Sequence, residues 1–255
     1  MDFKYIYGPV PSWRLGSSLG VDLLSERFKI CTFDCIYCQI NEPTNFTLKR
    51  KVYVSTEELM EEIKQVPQVH IDYITFSGRG EPTLAKNLGE AISEVKKIRP
   101  EPIAVLTNSS LIDRKDVREE LSLADLVCFK IDASCVNIFN EINRPERGIS
   151  FERILEGIKE FKGQYKGKLA LQVMFVGANK LEAENIAKIA FQIKPDEVQI
   201  NTPLRECGVK PLSREDMLRI KEYFKGLNTV TVYDAPHKKI KPISTKDTLK
   251  RRGKE

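Results

Sequence analysis

The feature that most constrains the fold is a regular alternation of short β-forming runs with helical apolar periodicity, sustained from about residue 18 to residue 200. Strands are expected over 20–24, 71–76, 102–106, 125–131, 168–176 and 197–200, each apolar or β-branched and bounded by turn residues. Helices are expected between them over 56–66, 87–99, 113–123, 151–161 and 182–193; the first opens on a cap-like Ser55 with Glu58 three residues on. Parallel strands need a crossover connection, so this alternation predicts βαβ units and a parallel sheet. Six repeats fall between a flat doubly wound sheet and a full eightfold barrel. Beyond Thr202 the pattern loosens into a helix over 213–225, a strand over 229–233 and a basic tail. The chain thus divides into a core over 1–202 and a C-terminal extension over 203–255.

Polar residues inside the strands point to function. Residues i and i+2 of a strand share a face. Thr75 with Ser77, Lys130 with Asp132, and Gln199 with Asn201 are three such pairs near C-terminal strand ends, and Gln172 lies inside the fifth strand. Barrel enzymes place their chemistry at that end. A packed barrel interior would carry Val and Ile there; an open one lined with polar groups has room for a cofactor and a substrate.

The loop after the first strand reads Cys31-Thr-Phe-Asp-Cys35-Ile-Tyr-Cys38, three cysteines spaced C-x3-C-x2-C. The remaining cysteines are Cys128, Cys135 and Cys207, and the histidines are His70 and His237. A closed zinc site takes four ligands, commonly as paired knuckles. A [4Fe–4S] cluster on three thiolates keeps one iron open for chemistry. Cys128, Cys135 and Cys207 match no paired-cysteine pattern; an auxiliary cluster, a catalytic thiol and inert packing are their three readings.

This spacing, with Tyr37 before the last cysteine, resembles the signature of the radical S-adenosylmethionine (radical SAM) superfamily. The resemblance implies an α/β fold, a partial (β/α)6 barrel of the radical SAM type with a short C-terminal extension. It also implies that Cys31, Cys35 and Cys38 hold a [4Fe–4S] cluster whose open iron chelates the amino and carboxylate groups of S-adenosylmethionine (SAM). The loop Ser77-Gly78-Arg79-Gly80-Glu81-Pro82 is similar to the family's GGEP motif, so Gly78, Gly80, Glu81 and Pro82 are expected at the SAM amino group, with Arg79 where another small residue is usual. By the same resemblance Tyr37 is expected near the adenine, Asn108 and Ser109 near the ribose or methionine portion, and Lys130, Asp132, Gln172 and Asn201 along the SAM-binding face. A flavodoxin- or ferredoxin-like protein is the implied electron donor.

The N-terminal Tyr7-Gly-Pro-Val-Pro-Ser-Trp-Arg-Leu-Gly16 and the downstream Ser18-Leu-Gly-Val-Asp22 look like a subgroup of Fe–S oxidoreductases related to the wyosine-base synthases of tRNA, with Trp13 in place of that pattern's first arginine. The stretch Asn143-Arg-Pro-Glu-Arg147-Gly resembles the same relatives. No cysteine precedes Cys31, so the second cluster of the tricyclic wyosine synthases has no ligands here.

Charge adds a hint of substrate. The net charge is +5, yet residues 237–255 carry eight Lys/Arg against two Asp/Glu, leaving the body near neutral. A basic tail on a neutral body suits an anionic partner such as tRNA, and a solvated terminus is the plainer reading. No apolar run approaches a membrane span, the first residues lack a signal-peptide core, and clustered cysteines suit a reducing compartment, so the cytoplasm is expected. The expected activity is reductive SAM cleavage, giving a 5′-deoxyadenosyl radical that acts on a tRNA nucleoside. Two rivals stand beside it: a protein-directed activase or peptide-modifying enzyme, and a non-catalytic Fe–S or zinc module that binds RNA.

Overall fold

A computed structural model describes residues 3–26, 28–40, 44–235 and 240–252. In chain order the strands and helices are β1 (Ile6–Ser12), β2 (Gly16–Val21), β3 (Lys29–Cys31), β4 (Thr44–Phe46), α1 (Thr56–Lys64), β5 (Tyr73–Phe76), α2 (Leu88–Ile98), β6 (Ile103–Thr107) and α3 (Lys115–Leu121). They continue as β7 (Leu126–Lys130), α4 (Val136–Asn143), α5 (Phe151–Gln164), β8 (Lys168–Met174), α6 (Ala183–Ile193), β9 (Glu197–Asn201), α7 (Arg214–Tyr223), β10 (Thr229–Thr231) and α8 (Thr245–Arg252). The main sheet runs β1-β2-β5-β6-β7-β8-β9-β10 and curls into a half-barrel; β3 and β4 form a separate pair.

The six expected parallel strands are all present, and the sheet extends them at both edges. At one end β10 pairs parallel with β9, so the loosened C-terminal region continues the sheet. At the other, the turn-rich N-terminus forms β1, antiparallel to β2 with a shift of register between Tyr7 and Val10. Pro9 and Pro11 argue against a strand because they cannot donate to a ladder, but an edge strand needs pairing on one side only. The first core strand is Gly16–Val21, several residues earlier than the expected 20–24; Leu23 and Leu24 are buried beyond its end.

Alternation sorts the strands' side chains onto two faces. Ile74, Phe76, Val105, Val127, Phe129, Leu171, Val173 and Ile200 belong to the large core shared with the helices, which present Ile92, Val117, Ile158, Phe161 and Ile186. The opposite, concave face carries Ser18, Thr75, Ala104, Cys128, Lys130, Gln172 and Gln199, with Lys130, Gln172 and Gln199 in register across β7, β8 and β9. Its lower part is apolar: Leu15, in the β1–β2 turn, packs with Ala104, Leu126, Cys128 and Ala170. The hairpin therefore closes the floor of the half-barrel, and polarity rises toward the C-terminal strand ends.

The basic tail is structured where it is described. Ile243 N donates to Gly8 O at 2.7 Å, Phe3 N to Asp247 Oδ2 at 3.0 Å and Gly8 N to Thr248 Oγ1 at 3.0 Å, laying α8 along β1. Covering an edge strand protects its unpaired backbone groups. His237 to Lys239, Gly253 to Glu255 and the side chains of Lys250 to Arg252 lie outside the described residues, so much of the expected basic surface does too.

Candidate active site

The cysteine loop is stitched to the neighbouring βα loop. Ile30 N donates to Arg79 O at 3.1 Å, and Glu81 N donates to Ile30 O at 3.0 Å. A Cβ on Gly80 would lie 1.7 Å from Ile30 O, so only glycine permits this approach. Gly78 has φ +146°, and a Cβ there would fall 2.4 Å from the Asp22 carboxyl group. Pro82 opens a short 3-10 turn capped by Glu81. Gly80 thus sets the height of the cysteine strand, where a larger residue would push Ile30 aside, and Gly78 lets the loop lie against Asp22.

Glu81 is 1% exposed, and protein donors fill its carboxylate. Oε1 accepts from Thr83 N at 3.0 Å, Thr83 Oγ1 at 2.7 Å and Thr107 Oγ1 at 2.6 Å; Oε2 accepts from Asn108 N at 2.5 Å. Burial raises its pKa, and these hydrogen bonds oppose the rise. The geometry makes Glu81 a brace between the loop and the end of β6. Asn108 turns back to the cysteine strand: its Nδ2 donates to Thr32 Oγ1 at 2.7 Å and lies 3.6 Å from Cys31 Sγ. Ser109, at φ 73°, bonds through its hydroxyl to both the N–H and C=O of Lys130, joining two strand ends.

On the far side of the loop a buried network centres on Asp132. Its Oδ2 accepts from Tyr37 OH and from Asn143 Nδ2 at 2.8 Å, and Oδ1 accepts from Met174 N at 2.7 Å and Lys130 Nζ at 3.2 Å. The Lys130 ammonium also lies 4.7 Å from the centre of the Tyr37 ring. Burial, then the neighbouring Asp132 charge, drives the Tyr37 hydroxyl pKa well up, so it stays a donor. Asn143 Nδ2 also reaches Tyr37 OH at 2.9 Å and lies 3.5 Å from Cys35 Sγ. The expected set Tyr37, Lys130 and Asp132 is brought together. Asn143 joins it from α4, a helix that the sequence pattern does not reveal; its signal is the Asn-Arg-Pro-Glu-Arg stretch.

Gln172 and Asn201 stand apart from that network. Among the described residues the Gln172 amide makes no side-chain hydrogen bond although the residue is 9% exposed, and it faces the concave side beside Lys130. Asn201 Oδ1 is used locally, accepting from Thr202 N at 2.9 Å.

The three cysteines suit a polynuclear cluster. Cys31 is buried, which pushes its thiol up to about 12; Cys35 and Cys38 are half-buried. Lys29, 2% exposed, is the second residue that sequence reasoning misses: burial opposes its charge, but the attraction of Cys31, Cys38 and Cys35 outweighs that and raises its pKa. Burial raises the thiol pKa of Cys31 and of Cys35, and it outweighs the lowering by Lys29 at the first and by the Asn143 amide at the second. Among the described residues no three His, Cys, Asp or Glu side chains converge as a single metal ion requires. A four-iron cluster takes one thiolate per iron and tolerates their separation, so these residues fit it better than zinc.

The other cysteines take no part in this arrangement. Cys128 is buried within the half-barrel, donates to Gln199 Oε1 at 3.3 Å and is pushed up to about 11 by burial. Cys207 donates to Val209 O at 3.3 Å, and Cys135 is exposed. Among the described residues no helix is long and apolar enough to cross a membrane.

Comparison with known proteins agrees with this geometry. Residues 25–193 match the model of the radical SAM superfamily. The chain is 42% identical over 214 residues to the UPF0026 protein slr1464 of Synechocystis, covering 84% of this chain and 79% of that one. It is 40% identical over 228 residues to the UPF0026 protein MJ1312 of Methanocaldococcus jannaschii, covering 86% and 70%. Its fold is similar to that of Streptococcus suis SuiB bound to S-adenosylmethionine, with a TM-score of 0.61 at 17% identity, over 80% of this chain and 48% of that one. A cysteine loop braced against a glycine turn at the mouth of a half-barrel, and the match over residues 25–193, lead to one conclusion: the chain belongs to the radical SAM superfamily and is a radical SAM enzyme, with SAM as a cofactor.

Proposed function

We propose that this enzyme cleaves SAM reductively at a cluster held by Cys31, Cys35 and Cys38 and directs the resulting radical to a nucleoside of tRNA. The chemistry supplied by the bound cofactors is one-electron cleavage of the sulfonium, giving methionine and a 5′-deoxyadenosyl radical that abstracts a substrate hydrogen. The chain's own residues hold, orient and enclose. The amides of Asn108 and Asn143 point at the sulfurs of Cys31 and Cys35, and Lys29 balances their charge. Tyr37, tied to Asp132 and Asn143, fixes the last turn of the cysteine loop against β7 and β8. Leu15 and its neighbours shut the lower end of the half-barrel, so the radical would be generated away from bulk water.

The observation that carries the reading is the polar concave wall next to the cysteines. The Gln172 amide has no side-chain partner among the described residues, and Lys130 directs one hydrogen bond at Asp132, leaving ammonium protons for a ligand. An amide and a cation on such a wall suit a substrate rich in hydrogen-bonding edges, as a nucleobase is. The likeness of residues 7–22 to oxidoreductases related to wyosine-base synthases, and the excess of basic residues after residue 237, support RNA as its carrier.

The test is to incubate the reconstituted, reduced enzyme with SAM and total tRNA, digest the RNA and search its nucleosides by mass spectrometry. A nucleoside whose mass changes only when enzyme, SAM and reductant are all present supports the reading. SAM cleavage with every tRNA nucleoside unchanged, beside modification of a copurifying peptide, overturns the substrate assignment.

A further inference from the structure

The stretch from Asn143 to Arg147 is laid along the cysteine loop and places one side chain at a sulfur. Asp34 N donates to Asn143 O at 3.1 Å and to Arg144 O at 3.2 Å, Ile36 N donates to Ile142 O at 2.9 Å, and Glu146 N donates to Thr32 O at 2.8 Å. The last carbonyls of a helix have no partner inside it. Here two loop amides supply them, and Arg144, at φ 47°, ends α4 so that the chain can follow the loop. Those amides belong to residues 34 and 36, on either side of Cys35. Asn143, the last residue of α4, is thereby fixed against the Cys35 sulfur by the backbone itself.

The Asn143 amide has more acceptors than it can serve. Its Nδ2 lies 2.8 Å from Asp132 Oδ2, 2.9 Å from Tyr37 OH and 3.5 Å from Cys35 Sγ. A carboxylate only accepts, so the nitrogen and not the oxygen of the amide faces this trio. An amide nitrogen carries two N–H bonds, one fewer than the acceptors around it. Asn143 and Asp132 are both buried, where hydrogen bonds act at low dielectric. The sulfur is the most distant of the three acceptors, so it receives the share of the donor that the two oxygens leave.

We propose that Asn143 is a positioning residue that sets how readily the centre held by Cys31, Cys35 and Cys38 accepts its electron, with Tyr37 limiting the hydrogen bond that reaches Cys35. An added electron puts more negative charge on the sulfurs, so an N–H aimed at one of them favours the reduced state and raises the reduction potential. The Tyr37 hydroxyl holds back part of that donor. The proposal rests on the reading of those cysteines as the ligands of an iron–sulfur cluster.

The experiment is a redox titration of the anaerobically reconstituted protein without SAM, followed by the electron paramagnetic resonance of the reduced cluster. Asn143→Ala removes the donor and should make the centre about tenfold harder to reduce, a potential about 59 mV lower for one electron, as the loss of one hydrogen bond to a charged group would. Tyr37→Phe keeps the ring but removes an acceptor, leaving two N–H bonds for two acceptors. It should shift the potential upward, by about threefold in the same equilibrium, and have no effect in the Asn143→Ala background. Phe139→Leu, on the same helix and packed at 5.3 Å against Phe33 of the cysteine loop, should lower thermal stability and leave the potential unchanged. Asn143→Ala at the wild-type potential overturns the proposal, as does an equal drop in Phe139→Leu, which would make loop packing the cause. If Asn143→Ala binds no iron, a Tyr37→Phe potential that falls or stays in place still overturns it. Wild-type protein that takes up no iron and sulfide removes the reading of the cysteines and this proposal with it, whereas iron uptake with an unmoved Asn143→Ala potential removes this proposal alone.

Discussion

The outer and inner faces of the same sheet are made by alternate residues of the same strands, yet their chemistry is opposite. Phe76, Val105, Val127 and Phe129 face the helices and are fully buried; Thr75, Ala104, Cys128 and Lys130, their immediate neighbours, face the hollow. An all-apolar inner face would collapse onto itself, and an all-polar outer face would shed its helices. The outer face is where stability is concentrated, and the inner face trades packing for ligand contact. Substitutions on the two faces should separate accordingly.

The largest stability loss should come from the outer face. Phe129, buried edge-on against Phe161 at 5.3 Å, loses its whole ring in Phe129→Ala, and urea unfolding should show a cost of about 3–5 kcal/mol. At the junction of the faces, Asp132→Ala strips partners from Tyr37, Asn143, Lys130 and the Met174 amide. We expect a cost of about 1–3 kcal/mol, with SAM cleavage falling further than that loss explains. Deep in the hollow, Gln172→Ala should change stability by less than about 1 kcal/mol but uncouple SAM cleavage from substrate modification. An unfolding cost as large as that of Phe129→Ala would break the distinction between the faces.

The smallest effect concerns the inner thiol. Because burial raises Cys128 from 9.0 to about 11, the folded protein keeps it neutral while an unfolded chain would ionise it. The folded-state pKa of this acid is raised, so its contribution is full below pH 9 and is lost as pH climbs toward 11. At pH 8 an alkylating reagent should therefore label exposed Cys135 and spare Cys128, as peptide mass spectrometry would show.

Much of this division is legible in the amino-acid sequence. Period-two alternation in Tyr73–Phe76 and Leu126–Lys130 marks both faces, and the C-x3-C-x2-C loop with Tyr37 carries the family resemblance that implies its chemistry. What the sequence hides has identifiable causes. Strand β1 is masked by Pro9 and Pro11, which only an edge tolerates, and α4 by its short length between two loops. Glu81 stands in a ligand motif, but four donors from Thr83, Thr107 and Asn108 occupy it, and only the fold brings β6 there. The tail reads as a free cationic arm; Asp247 and Thr248, its two buried side chains among the described residues, fasten α8 to β1. Truncation at that point should uncover an edge strand besides removing charge.

The central claim is that the mouth of the half-barrel holds a cluster on Cys31, Cys35 and Cys38 that engages SAM. Its most direct test is electron paramagnetic resonance of the anaerobically reconstituted, dithionite-reduced protein, recorded with and without SAM. The account predicts about four irons per chain, a reduced [4Fe–4S] signal and a changed spectrum on adding SAM; Cys35→Ala should abolish the signal. A protein that takes up zinc in place of iron and sulfide, or a cluster signal indifferent to SAM and retained in Cys35→Ala, would contradict it.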